Sequence, residues 1–243
     1  MGKMGIKLYI MITPNKETIY GDKFLPDKVV KYSNYSRADQ IVGYLHENTN
    51  ISIVYPKKEL TDAASVAQVW RKYDTHWNEL GAFVASQSLL SALGYESRDL
   101  GNVEYTKNGK CSGDLANMLG MVMKYSDDDI YKIIGYNQQV NFEVTEWVEQ
   151  SNLSYARGES DVENEAKILL IGDSFLGLME GYLASNFEIS MFVHRDNYGL
   201  LDKDLIREEQ PDIVVFQTAE RFLNALDEYM DMYAAWYETQ DNE

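Results

Sequence analysis

Lys167-Ile168-Leu169-Leu170-Ile171-Gly172-Asp173-Ser174-Phe175 is the stretch on which the reading of the fold turns. Its β-rich aliphatic run has no polar alternation, so it reads as a strand buried on both faces, the pattern of a parallel sheet. Gly172-Asp173 ends the run. A helix is expected over 175–184, with Leu178, Met179 and Leu183 on one face. Ser174 then stands at the carboxyl end of a strand, where open α/β sheets place their ligand sites.

Downstream, strands are expected over 189–193 and 212–216 and a final helix over 219–233. Upstream, 6–12 reads as a buried strand that ends at the turn Pro14-Asn15. Ser36-Arg37-Ala38-Asp39 starts a helix that Ile41, Val42 and Leu45 continue. A second strand covers 51–55 and a helix 62–71. Asn78 is suited to cap a helix carrying Leu80, Phe83, Val84, Leu90 and Leu93, and Gly94 is its stop. The span 95–165 is the least regular. It offers a short helix over 115–123, a half-exposed strand over 140–148 and an acidic loop over 159–165, and is expected to lie over or beside the site. Alternating strands and helices point to an α/β domain of three layers, α/β/α, around a mostly parallel central sheet. One domain over 1–237 is expected, with 238–243 a disordered acidic tail.

The 243 residues, 45% of them apolar, suffice for one substantial core. The formal charge is −17 and unevenly spread. Residues 1–110 carry 14 Lys+Arg against 12 Asp+Glu, whereas 111–243 carry 8 against 27. So acidic a second half repels phosphate backbones, which argues against nucleic acid and, more weakly, against a polyanionic substrate. The single Cys111 excludes an internal disulfide and leaves the redox compartment open. No Cys/His cluster has metal-ligand spacing, so neither metal nor cofactor is expected. No stretch is long and apolar enough to span a membrane, and no signal peptide is visible. The chain starts almost directly on a strand, which suggests a domain cut from a longer protein.

Chemistry comes from two distant segments. A serine hydroxyl needs a base to take its proton, and the base works best when a carboxylate orients it. The chain has three histidines, His46, His76 and His194. His46 ends a helix and is expected exposed. His194 ends a strand, with only Asp196 as a nearby carboxylate. His76 lies in Asp74-Thr75-His76-Trp77, on a loop before the helix capped by Asn78. Asp74 is placed to hold one imidazole nitrogen and leave the other for Ser174. Ser174 alone reads more readily as a helix N-cap than as a nucleophile. Leu176 stands where the nucleophile elbow of α/β-hydrolases needs glycine, so that pattern is excluded.

Gly172-Asp173-Ser174 after its strand resembles the first signature of the SGNH hydrolase superfamily. The Asp-x-His segment before the serine, rather than after it, is the order of the alginate O-acetyltransferase family of SGNH-like proteins. Further segments look like that family in the same order: Thr13-Pro14-Asn15-Lys16-Glu17-Thr18-Ile19-Tyr20, Gly113-Asp114-Leu115-Ala116, and Pro211-Asp212-Ile213-Val214-Val215 leading to Glu220-Arg221-Phe222-Leu223. The resemblance implies an SGNH-hydrolase-like domain in which Ser174 is the nucleophile, His76 the base and then acid, and Asp74 its orienting carboxylate. It also implies a polysaccharide acceptor, a membrane-bound acyltransferase as acetyl donor, and an extracytoplasmic location.

Four more residues are candidates for substrate binding, each with a structural alternative. Arg195 follows a strand at the sheet edge, or is a surface arginine. Asn78 offers an oxyanion donor, or is the helix cap. Trp77 and Tyr20 offer flat faces for a sugar, or pack in the core. The backbone N–H groups of Ser174 and Phe175 are the expected oxyanion donors. Glu220 and Arg221 are expected to form structural ion pairs. Three functions fit: an O-acetyltransferase acting on an exopolysaccharide or cell-wall polysaccharide, a carbohydrate acetylesterase with the same triad, and a non-catalytic polysaccharide-binding module.

Overall fold

The computed structural model describes residues 5–135, 143–150, 153–195 and 203–225. In chain order the elements are β1 (Lys7–Thr13), α1 (Lys16–Phe24), α2 (Arg37–Asn48), β2 (Ser52–Val54), α3 (Lys57–Val66), α4 (Glu79–Leu93), β3 (Tyr105–Cys111), α5 (Asp114–Met118), β4 (Asp128–Ile133), β5 (Glu143–Gln150), β6 (Leu153–Glu159), β7 (Lys167–Gly172), α6 (Glu180–Ala184), β8 (Ile189–Arg195), α7 (Lys203–Glu209) and β9 (Ile213–Ala219).

Seven strands form the main sheet in the order β2-β1-β9-β7-β8-β6-β5. The pairings from β2 through to β8 are parallel, and β6 and β5 add an antiparallel edge. The sheet is therefore mostly parallel, as its apolar strands require. Within β7 the side chains alternate between two cores. Ile168 and Leu170 pack with α3, α4 and α6 on one face, through Leu60, Phe83, Leu89 and Leu183. Leu169 and Ile171 pack against Ile206 of α7 on the other, the face on which Ile12 and Ile53 meet Ala38, Ile41 and Val42 of α2. These are the three layers. Each fully buried leucine contributes roughly 1.5–3 kcal/mol relative to an exposed one, and Leu80, Leu89, Leu90, Leu169, Leu170 and Leu183 are all fully buried.

Local signals set several boundaries. Ser36 and Asp39 form a reciprocal capping box at the start of α2. Gly94 ends α4 at φ 86°, a left-handed conformation that costs a residue without Cβ least. Elsewhere tertiary contacts move them. The helix expected over 62–71 is α3, which starts after Pro56 and ends at Val66. The chain then leaves the helix to make a Trp70–Trp77 bridge. The helix expected over 175–184 is only α6. Residues 173–179 form tight turns instead, with Leu176 N–H on the Asp173 carbonyl and Met179 N–H on that of Leu176. The helix expected over 115–123 stops at Met118, and Gly120 turns the chain at φ 64°. The final helix expected from 219 begins as a 3-10 turn over Glu220–Ala225; positions 226–233, like the tail 238–243, lie outside the described residues. The strand expected over 140–148 is β5, of which 143–150 are described.

The connections leaving β1 and β7 run in opposite directions from β9, which lies between them. Their carboxyl ends therefore face one crevice, the expected position for a ligand in an open α/β sheet. A separate two-stranded hairpin, β3 with β4, comes from the irregular span.

Candidate active site

Residues 69–78 form a tight hairpin-like loop. Trp70 pairs with Trp77, Arg71 N–H donates to the His76 carbonyl, and Asn78 N–H donates to the Val69 carbonyl. Asp74 and His76 sit at its tip. Lys16, at the start of α1, fixes that tip from below: its Nζ donates to the carbonyls of Arg71, Lys72 and Asp74 at 2.6, 2.9 and 3.0 Å. Burial pulls the Lys16 ammonium below its ordinary value, against the nearby carboxylates Asp128 and Asp74.

The other half of the site is the turn after β7. Asp173, buried, accepts hydrogen bonds from Phe175 N–H, Gln217 Nε2 and Ala219 N–H, and so ties the end of β7 to β9. Gln217 also donates to Thr13 Oγ1 and accepts from Asp173 N–H. Three strand ends are thereby locked around Ser174, which is exposed.

The two halves meet. His76 Nε2 lies 2.6 Å from Ser174 Oγ, and His76 Nδ1 lies 2.6 Å from Asp74 Oδ1. Asp74 Oδ1 also accepts from His76 N–H, and Asp74 Oδ2 from Asp114 N–H at 3.0 Å. Burial disfavours the charge on Asp74, but the hydrogen bonds from the His76 side chain and backbone and from Asp114 outweigh it, with the imidazole charge adding to them. The carboxyl is held well below the usual carboxylate range. Asp74 therefore stays charged wherever His76 is needed as a base. The arrangement can take a proton from Ser174 Oγ, the first step of acyl transfer.

Asp114 was part of a family-like segment but carried no expected role. It accepts from Thr75 N–H at 2.8 Å and from Thr75 Oγ1, and its Oδ2 lies 3.5 Å from His76 Nδ1. α5 thus clamps the loop, and this part of the irregular span does lie beside the site. Among the described residues, Asp74, His76 and Asp114 form the one set with ligand atoms close enough to hold a metal. Each of those atoms already has a hydrogen-bond partner, so the set reads as a braced imidazole.

The remaining candidates separate. Asn78 is fully buried. Its Oδ1 caps α4 through Leu80 and Gly81 N–H, and its Nδ2 donates to the Gln68 carbonyl. It is the helix cap and presents nothing to a substrate. Trp77 is also buried, with its ring edge-on to Phe175 at 4.9 Å, so it packs rather than stacks on a sugar. Tyr20 accepts from Val69 N–H and lines a cavity of about 550 Å³ whose walls include none of Asp74, His76 and Ser174. Arg195 ends β8, with its backbone paired to Leu153; its side chain lies outside the described residues. The Phe175 N–H is committed to Asp173, which leaves Ser174 N–H as the expected oxyanion donor without a partner among the described residues.

Among the described residues, neither Glu220 nor Arg221 makes the expected ion pair. Glu220 accepts from Asn15 N–H and Thr18 Oγ1, and so holds the start of α1 to the end of β9. The Arg221 guanidinium lies over the Phe175 ring. His194 finds a carboxylate after all, since its Nε2 bonds Glu180 of α6.

A family model described as the SGNH hydrolase-like domain of the acetyltransferase AlgX matches residues 1–232. No curated protein matches the sequence. Solved structures with the same fold include the O-acetyltransferase domain of Pseudomonas putida AlgJ, 19% identical, with 91% of this chain and 77% of that one covered and a TM-score of 0.59. Bacillus cereus PatB1 is 16% identical over 91% of this chain and 85% of its own, with a TM-score of 0.65. A DHHW family protein from Eubacterium siraeum is 17% identical over 88% and 78%, with a TM-score of 0.65.

Proposed function

Since this chain belongs to the family of the SGNH hydrolase-like domain of the acetyltransferase AlgX, we propose that it is an O-acetyltransferase that moves acetyl groups to hydroxyls of an exopolysaccharide or cell-wall polysaccharide. The observation that carries this reading is the unbroken line from Asp74 Oδ1 through His76 to Ser174 Oγ, both contacts at 2.6 Å.

In this mechanism Ser174 Oγ attacks the acetyl carbonyl while His76 Nε2 takes its proton. The tetrahedral oxyanion gathers at Ser174 N–H, a backbone donor fixed by the Asp173 turn. His76 returns the proton to the leaving group, and the acetyl ester stays on Ser174. A sugar hydroxyl then attacks the ester and gives its proton to Nε2. Ser174 Oγ leaves and recovers that proton. Asp74 remains a carboxylate throughout and stabilises the imidazolium each time it forms.

The donor in this reading is a membrane-bound acyltransferase and the acceptor a polysaccharide, which places the domain outside the cytoplasm. No helix among the described residues is long and apolar enough to cross a membrane. The exposure of Ser174 favours a second reading, acetylesterase, because water reaches the same ester. Incubation with p-nitrophenyl acetate and an oligosaccharide separates the two. A transferase yields acetylated sugar in excess of the uncatalysed background, whereas free acetate alone, whatever the oligosaccharide, would establish the esterase.

A further inference from the structure

The wall of the site next to the triad is built on one ring. Phe175, fully buried, follows the serine directly. His76 packs on its ring at 4.8 Å between centroids and Trp77 meets it edge-on at 4.9 Å. The Arg221 guanidinium lies over the same ring at 4.9 Å, and over Phe222 at 4.9 Å. Arg221 is exposed, and among the described residues no carboxylate or carbonyl accepts a hydrogen bond from it. Among the described residues, then, this cation has no ion-pair partner and shares a ring with the candidate base.

We propose that Arg221 is the acceptor-binding residue of the site, its guanidinium taking two adjacent oxygens of the sugar whose hydroxyl approaches His76. The two rings approach Arg221 through its cation and accept no hydrogen bond from it. A guanidinium N–H fork has a spacing that suits a pair of neighbouring oxygens, whether a vicinal diol or a carboxylate. Contact with two rings restrains the side chain, so less rotamer freedom is lost on binding. The inference rests on the transferase reading for its choice of ligand, but its test does not depend on turnover.

That test uses Ser174→Ala protein, which cannot form the ester, titrated by calorimetry with cellopentaose, an N-acetylglucosamine pentamer and a mannuronate pentamer. At least one pentamer is expected to bind. Adding Arg221→Gln is expected to weaken it about tenfold or more, the order lost with a charged hydrogen-bond donor. Adding Arg221→Lys is expected to weaken it nearly as much, because charge without the fork does not reproduce the contact. Strong salt dependence with the mannuronate pentamer would identify a carboxylate as the oxygen pair; binding of a neutral pentamer identifies the diol. Unchanged affinity in Arg221→Gln, or no binding of any pentamer, overturns the proposal. Arg221-dependent binding in a protein whose wild type forms no acetyl-enzyme would sink the transferase reading and leave this one standing.

Discussion

Asp74→Asn is expected to slow acetylation of Ser174 about 10⁴-fold with the fold preserved. The reason lies in how the carboxylate is surrounded. Oδ1 accepts from both the ring and the backbone N–H of His76, and Oδ2 accepts from Asp114 N–H. Every neighbour is a donor. An amide has one acceptor oxygen and one NH₂, so either orientation sets a donor against a donor. With NH₂ toward His76, the ring must accept at Nδ1. Its proton then sits on Nε2, facing Ser174 Oγ, where no proton can be received. With NH₂ toward Asp114, the clamp from α5 is broken. Both outcomes also remove the charge that stabilises the imidazolium. Pre-steady-state release of p-nitrophenol from p-nitrophenyl acetate measures the effect. A rate within tenfold of wild type would mean that Asp74 is a loop brace rather than an orienting carboxylate.

Gly113→Ala is the second large effect, although Gly113 touches no reacting atom. Its φ of −147° is extended backbone open to any residue, so conformation is not the reason for glycine. Space is. A Cβ there would stand 2.2 Å from the Tyr73 carbonyl oxygen and 2.6 Å from Asp74 Cβ. Both obstacles belong to the loop that carries the triad's acid. Relief requires either α5 or the loop to withdraw, and each movement opens the contacts of Asp114 with Asp74 and Thr75. Misplacing a catalytic group by about 1 Å costs on the order of 10²-fold, and overpacking costs about 1–3 kcal/mol. The variant is therefore expected to melt a few degrees lower and to acetylate roughly a hundredfold more slowly. Wild-type kinetics and melting would show that the clamp is dispensable.

Much of this site was legible because its signals are local. Asp74 and His76 are two residues apart, so their pairing needs only a loop. Ser174 follows a strand whose composition announces its burial. The cap at Asn78 and the stop at Gly94 are local chemistry too, which is why α4 ends where its sequence says. What was hidden depends on partners far along the chain. The turns at 173–179 replace a helix because Asp173 spends its carboxylate on Ala219 and Gln217 of β9, and no nearby residue signals that. α1 has no local signal beyond the turn Pro14-Asn15 before it, since its anchor is Glu220, 205 positions from Asn15. β3, Tyr105–Cys111, is polar along its length and almost wholly exposed, so it has no apolar period to betray it. Asp114 starts α5 in the connection between β3 and β4, and its role needs the fold. The family resemblance had drawn attention to the segments around Lys16, Asp114 and Glu220. The structure supplies the physics: each braces the Asp74 loop or the strand ends beside it.

The most direct measurement is intact mass of the protein after brief exposure to p-nitrophenyl acetate, wild type beside Ser174→Ala. The account expects one acetyl group on the wild type, located to Ser174 by peptide mapping, and none on the variant. A wild type that stays unmodified, or a variant that takes up the same single acetyl group, would contradict it.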